Sequence, residues 1–231
     1  MIDFKGSQFE REILLWGVRW YVAYPISYRQ LEERMSERGV EVDHATLNRW
    51  VIKYAPECEK AVRHRQHPVG RSWRLAETYG KIQGNGAYLY RAVDKEGQTV
   101  DFLLTPQRDR AAAEAFLWKA IRRQGVPEKI TIDRRGSNTT AIKWYNKTHK
   151  TAIIIRHSKY LNNIVEQDHR RVKQRVRPML GFKRFAHVAI PLSGIELVHQ
   201  IKKGQFDVSF LSTPCSSGAR TPQVWEAVLA A

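Results

Sequence analysis

A chain of 231 residues with 42% hydrophobic content is long enough for one medium domain and a smaller one, each around its own core, which excludes disorder as the default. Its 39 Lys and Arg against 23 Asp and Glu leave a formal net charge of +16, which points to a polyanionic partner and away from the balance of a typical soluble enzyme. The two cysteines, Cys58 and Cys215, stand far apart; no disulfide framework is expected, and no fourth ligand joins Cys58, His64 and His67 to complete a zinc site.

The opening segment MIDFKGSQFERE is charged and holds no apolar run, so no signal peptide is expected. No stretch approaches the ~18 apolar residues that span a bilayer, and a cytoplasmic protein without membrane partners is predicted. Phe9, Ile13, Trp16, Trp20 and Tyr24 recur at helical spacing, which predicts a helix with one aromatic stripe turned into the core and an end at Pro25. Ser27 and Gln30 have the form of a capping box for a second helix, with Leu31 and Met35 inward and Gly39 as its stop. A third helix is expected from Ala45 to Ala55, with Leu47, Trp50, Val51 and Tyr54 inward and Pro56 as terminator.

Two short helices joined by a glycine-containing turn, the second polar and basic at its start, have the helix-turn-helix form; a plain three-helix bundle shares the pattern. The net charge favours DNA. On that reading His44, Thr46, Asn48, Arg49 and Lys53 face a major groove, and Arg29 joins them from the preceding helix. A basic linker follows at 60–72, broken by Pro68 and Gly70, in which Arg63, Arg65 and Arg71 are placed to track a phosphate backbone.

Beyond Trp73 the pattern changes to strands. Runs at Trp73 to Gln83, Ala87 to Asp94 and Thr99 to Thr105, separated by QGNG and KEGQ, predict an antiparallel meander. A helix from Arg108 to Gln124 buries Ala112, Phe116, Leu117, Ala120 and Ile121 and closes at Gly125 and Pro127. Next comes KITID, a short strand ending on Asp133; the carboxyl edge of such a strand is where open α/β sheets hold ligands. A helix at Thr139 to Lys147, a strand at Ala152 to Arg156 and a helix within Lys159 to Arg177 complete the series. On that last helix Asn162, Glu166, Arg170, Lys173 and Arg177 share one face, while Leu161, Val165, Val172 and Val176 share the other. A basic loop, a helical stretch from Phe185 to Lys203 and a tail with a short helix at Pro222 to Ala231 follow.

The element order resembles the ribonuclease-H-like fold, an α/β domain whose mixed five-stranded sheet is flanked by helices, here behind an all-α helix-turn-helix domain. The expected divisions are 1–59 for the helical domain, 60–72 for the linker, 73–184 for the ribonuclease-H-like domain and 185–231 for a C-terminal helix and tail.

The segments RSWRLAETYGKIQG, YLYRAVDKEGQTVDFLL, GVPEKITID and KYLNNIVEQDHRRVKQRVRPMLGF resemble the DDE transposases of bacterial insertion sequences, and among them the insertion sequence six family. KYLNNIVEQDHR is the specific signature; isolated acids are not. The resemblance implies a DNA transposase that binds the terminal inverted repeats of its element and target DNA. It implies Mg²⁺, with Mn²⁺ as substitute, and a homodimer or larger synaptic assembly at the bacterial nucleoid. Two divalent ions would clamp the attacking and leaving oxygens, and such hard cations select carboxylate oxygen.

Asp133 and Glu166 match the second and third carboxylates of the family and are the implied metal ligands. The first is missing. Where the family reads Trp-Arg-x-Asp-Glu-Thr-Tyr, this chain has Trp73, Arg74, Leu75, Ala76, Glu77, Thr78 and Tyr79, and a methyl group cannot ligate a metal. Adjacent strand residues point to opposite faces, so Glu77 is expected to project away from Asp133 and not to substitute. Two origins fit Ala76, a deliberate substitution that traps a DNA complex and decay of a natural copy; Gly80 and Gly86, where larger apolar residues are expected, lean to decay. On either, cleavage and strand transfer are expected to be impaired. Arg170, Lys173 and Arg177 are candidates to neutralise phosphates. Asn162 and Asn163 fit either a contact at the scissile region or a helix cap, His169 fits a phosphate contact or a core imidazole, and Asp168 falls on another helix face. Two alternatives are a non-catalytic DNA-binding protein, such as a repressor of transposition, and a nuclease without sequence recognition.

Overall fold

The structure, a computed structural model, describes residues 2–4, 7–82, 85–133, 136–158, 160–176, 185–207 and 222–225. In chain order the elements are α1 (Arg11–Ala23), α2 (Tyr28–Ser36), α3 (His44–Val62), β1 (Ser72–Ile82), β2 (Asn85–Asp94), β3 (Thr99–Thr105), α4 (Arg110–Gln124), β4 (Lys129–Ile132), α5 (Gly136–His149), β5 (Ile154–His157), α6 (Asn163–Val176) and α7 (Phe185–Lys202). Short 3₁₀ turns stand at Arg63–Arg65 and Tyr160–Asn162. Two compact units result, residues 1–67 with 172–231 and residues 68–171.

In the first unit α3 packs against α1, α2 and α7. The capping box at the start of α2 forms in full: the Gln30 amide donates to Ser27 Oγ at 3.2 Å and the Ser27 amide to Gln30 Oε1 at 2.8 Å. Asp43 caps α3, its carboxylate accepting from the amides of Ala45 and Thr46 at 2.8 and 3.0 Å. The expected aromatic stripe of α1 is its core face only in part: Phe9, Ile13 and Trp20 pack half-buried against the core. Leu14, Val18, Tyr21 and Val22 are fully buried, Trp16 and Tyr24 are exposed, and Trp16 stacks on Trp20 with the Arg38 guanidinium 4.7 Å from the Trp20 ring centre. Both stripes have the helical period, and the aliphatic one fills the narrow gap between packed helices. Nor does Pro56 end α3, which runs on to Val62. Pro56 forgoes one backbone hydrogen bond, yet Val51, Tyr54, Ala55, Cys58 and Val62 form one buried stripe across it, and tertiary packing outweighs the local loss.

Core contacts continue from the C-terminal part of the chain, since Leu197, Val198, Ile201, Val224 and Trp225 belong to the same cluster as the N-terminal helices. Gly194 is where α7 comes closest to its neighbours. A Cβ there would lie 2.7 Å from Val22 Cγ1 on α1 and 3.2 Å from Ala55 Cβ on α3.

The second unit is built on a five-stranded sheet in the order β3-β2-β1-β4-β5, with β1, β2 and β3 antiparallel and β1, β4 and β5 parallel. This is the ribonuclease-H-like arrangement, with its three-strand meander continued by a helical crossover. Alternation along the strands separates two faces. Trp73, Leu75, Tyr90, Ala92, Ile130 and Ile132 meet Phe116 and Leu117 of α4 and Ile142 of α5. Ala76 and Val93 meet Val165 of α6 in a much smaller cluster. Gly80 and Gly86 sit in unbroken β1–β2 pairing, opposite Ala87 and Lys81, so neither marks a bulge.

Replacing Gly194 by valine is expected to lower stability by about 1–3 kcal/mol, the usual cost of overpacking, because Val22 and Ala55 are buried and cannot withdraw. Urea unfolding followed by helical circular dichroism measures it; an unchanged midpoint would show that the helices separate freely at this point.

Candidate active site

Parallel pairing of β1 with β4, Leu75 opposite Ile132, sets the carboxyl end of β4 beside the middle of β1. Asp133 follows directly on β4, and β1 continues past that level through Ala76 and Glu77. Glu166 stands in the first turn of α6. Ala76, Glu77, Asp133, Asn138, Asn162 and Glu166 all line one cavity of about 210 Å³. Residues 76, 133 and 166, remote along the chain, therefore border the same space.

Glu77 lies on the opposite strand face from Ala76, as alternation requires. Its carboxylate is ion-paired with the Arg108 guanidinium, and Tyr90 is its cross-strand neighbour. Burial, with the adjacent Glu77 charge, holds the Tyr90 phenol above its ordinary pKa. Glu77 borders the cavity but is committed to this ion pair. Among the described residues no three His, Cys, Asp or Glu side chains gather closely enough to hold a metal ion.

Two asparagines complete the lining. Asn162, 4% exposed, donates its Nδ2 to the carbonyl of Leu75 on β1 at 3.5 Å, a long hydrogen bond that turns the other end of the amide away from the strand. Asn138, in the first turn of α5, is 5% exposed. The Oδ1 atoms of both are buried and have no hydrogen-bond partner among the described residues.

Residues 70–205 match a family model described as a DDE domain. Over 201 residues the chain is 37% identical to the transposase for insertion sequence-like element IS431mec of Staphylococcus aureus, a match that covers 87% of this chain and 88% of that one. Identity and coverage are the same for the S. aureus transposase for insertion sequence element IS257 in transposon Tn4003. The chain belongs to the insertion sequence six family of DDE transposases. Among solved structures, the HTLV-2 integrase catalytic core domain in complex with magnesium (trimeric form) superimposes with a TM-score of 0.47 at 14% identity, covering 69% of this chain and 99% of that one.

In this transposase the helix carrying Glu166 is fastened to the sheet by a buried ion pair. Arg91 Nη1 on β2 lies 3.2 Å from Asp168 Oδ2 on α6, their side chains 0% and 6% exposed. Burial pulls the Arg91 pKa down to about 10 and the Asp168 carboxylate pulls it up, so the guanidinium stays charged at neutral pH. Arg91 is also the direct cross-strand partner of Ala76. The inward stripe of α6 is thus Val165, Asp168, His169 and Val172, with Glu166 and Arg170 exposed. Asp168 does lie off the Glu166 face, but its role was visible only as a charged residue at apolar-stripe spacing, three after Val165 and four before Val172. Arg91 gave a similar signal, a lone cation in a strand buried on both faces.

The basic residues singled out by sequence are dispersed. Arg170 is exposed one turn beyond Glu166; the Lys173 side chain and Arg177 lie outside the described residues. Arg71 pairs with Glu128 at 3.4 Å, and Arg63 with Glu59 at 2.7 Å; Arg65 donates to His64 Nε2 at 3.2 Å. Arg29 is exposed on α2. At the start of α3, His44 Nδ1 lies 2.9 Å from Glu32, the Thr46 hydroxyl donates to Asp43 at 2.7 Å, and Arg49 donates to Thr46 Oγ1 at 2.7 Å. Asn48 is half-buried, and the exposed Lys53 places its ammonium 4.9 Å from the Tyr54 ring centre.

Removing one member of the Arg91–Asp168 pair strands a buried charge. Arg91→Met is expected to cost about 3–5 kcal/mol in urea unfolding, and the double replacement Arg91→Met with Asp168→Leu to recover most of that. A loss below about 1 kcal/mol, the value of an exposed pair, would show that the pair does not fasten α6.

Proposed function

We propose that this transposase binds the terminal inverted repeats of its element and target DNA as duplexes. We propose further that its second unit is organised for hydrolysis and transesterification of phosphodiesters with Mg²⁺, for which Mn²⁺ substitutes. One observation carries the reading: positions 76, 133 and 166 of a DDE-family chain line one cavity at the carboxyl end of β4. Asp133 and Glu166 would hold the metal, and the buried, unpartnered amide oxygens beside them suit a hard cation. When bound, a divalent metal supplies charge for the attacking and leaving oxygens. Arg170, exposed one turn from Glu166, would neutralise a phosphate of the bound strand.

Ala76 removes a carboxylate from this set, and Glu77 is held by Arg108 on the other strand face. The chain as it stands therefore binds DNA ends and is deficient in cleavage and strand transfer. An aspartate at position 76 would project beside Arg91, since directly paired antiparallel residues hold their Cβ atoms roughly 4.5–5.5 Å apart. That guanidinium would help retain the added charge.

DNA recognition falls to α2 and α3, with Arg29, His44, Thr46, Asn48, Arg49 and Lys53 as contacts and Arg63, Arg65 and Arg71 on the backbone. The capping network at the start of α3 fixes Thr46 and Arg49 before DNA arrives, which lowers the ordering cost of binding. Joining two element ends calls for a homodimer or larger synaptic assembly. Among the described residues no helix is long and apolar enough to cross a membrane. Acting on bacterial DNA, the protein would work at the nucleoid, in the cytoplasm.

With Mg²⁺ and terminal-repeat duplex, Ala76→Asp is expected to nick at least about 10²-fold faster than the chain as it stands, the scale of one transition-state-stabilising group. Equal rates would refute the assignment of position 76. In binding isotherms over a salt series, the double variant Arg49→Ala, Lys53→Ala is expected to flatten the log affinity against log salt slope by about 0.9 per lost phosphate contact. An unchanged slope would move DNA recognition off α3.

A further inference from the structure

Asn138 and Asn162 come from different elements, α5 and the turn before α6, yet both bury their side chains against the cavity that Asp133 and Glu166 line. Both leave Oδ1 without a hydrogen-bond partner among the described residues, an uncommon state for a buried acceptor in a native fold. For Asn162 the orientation of the amide is decided by its surroundings. The Leu75 carbonyl can only accept, so the nitrogen must face it and the oxygen is the free end. An unpartnered acceptor at Asn162 and a second buried amide at Asn138, on a lining shared with Asp133 and Glu166, describe a space that selects for positive charge. Amide and carboxylate oxygens together are the donor mixture of hard divalent cations.

Resting on the reading of this cavity as the metal-holding site, we propose that Asn138 and Asn162 are direct oxygen ligands of the divalent cation. In this chain they supply neutral donors where Ala76 supplies none. Two carboxylates already match the charge of one divalent ion; the amides raise the donor number without adding charge. A chain that lacks the first aspartate would thus retain cation binding while lacking the third carboxylate of the family's set. Binding and catalysis would be separable here.

The rival role for Asn162 is a tether, its nitrogen holding the turn before α6 to β1, with the oxygens met by water. Substitution separates the two by sign. Conversion to aspartate keeps an oxygen, adds charge and removes the nitrogen that serves the tether; conversion to alanine removes both. Mn²⁺ binding to the full chain, read as loss of the free-ion electron paramagnetic resonance signal and independently as the Mn²⁺-induced rise in Tm, is measured in the chain as it stands and in Ala76→Asp. Asn138→Ala and Asn162→Ala are each expected to weaken Mn²⁺ binding by about 10-fold or more, and Asn138→Asp and Asn162→Asp to strengthen it.

Mn²⁺ binding that requires Asp133 and Glu166 but is unmoved by both alanine variants would overturn this proposal and leave the metal site standing. Aspartate variants that fail to tighten binding while keeping the metal-free Tm would overturn it too. Absence of Mn²⁺ binding in both backgrounds would overturn the cavity as a metal site altogether, and this proposal with it. Circular dichroism of each metal-free variant identifies any loss of fold, and an unfolded alanine variant is replaced by Asn→Ser at the same position, with the same loss expected.

Discussion

The parallel pairing of β1 with β4 is the constraint on which the site depends. β4 has four residues, Lys129–Ile132, and it holds its place because Ile130 and Ile132 are fully buried against α4 and α5 while its backbone is bonded on both sides. The register that sets Leu75 against Ile132 brings residue 76 and residue 133 to the same level. A one-residue slip would turn the apolar side chains of β4 out of the core, so the packing that stabilises the sheet also fixes the lining of the cavity. Position and stability are one property here.

The two faces of the sheet are organised differently. Where α4 and α5 cover one, contact is broad and apolar; where α6 covers the other, the apolar cluster shrinks to Ala76, Val93 and Val165, and a buried Arg91–Asp168 pair supplements it. Such a pair contributes little net stability over well-packed apolar side chains, since desolvation offsets most of the attraction. Its value is directional. Two residues along the helix from Asp168, Glu166 is turned outward to the cavity, and a guanidinium fixed in the sheet sets that rotation more sharply than three small side chains can.

Several features were legible without coordinates. Ser27 with Gln30 announced the capping box, Leu47, Trp50, Val51 and Tyr54 the inner face of α3, and strand, turn and helix signals the order that builds the sheet. These depend on contacts a few residues apart or on a single period, which a chain displays in its letters. The stripe on α1 was partly misjudged because two stripes share the same period, and which one is covered depends on the shape of α3 and α7. Pro56 was misjudged for a related reason: its local cost is certain, but it is overridden by a buried stripe whose partners lie far along the chain. Around the cavity, the lining positions Ala76, Asp133 and Glu166 could be named from motif alone. Asn138, the Arg108 hold on Glu77 and the Arg91 hold on α6 could not, because each is defined by a neighbour supplied from another element.

The sequence by itself determined the order of elements and the excess of cationic charge, which are properties of spacing and composition, and through its motifs the resemblance to the family and the identity of the residue standing where a carboxylate is expected. Only the tertiary structure decided which oxygens share the cavity, which carboxylate is withheld by a guanidinium, and which face of each helix is dry. Those outcomes follow from long-range packing and from the desolvation of specific charges, and both energies exist only once distant segments have been brought within contact.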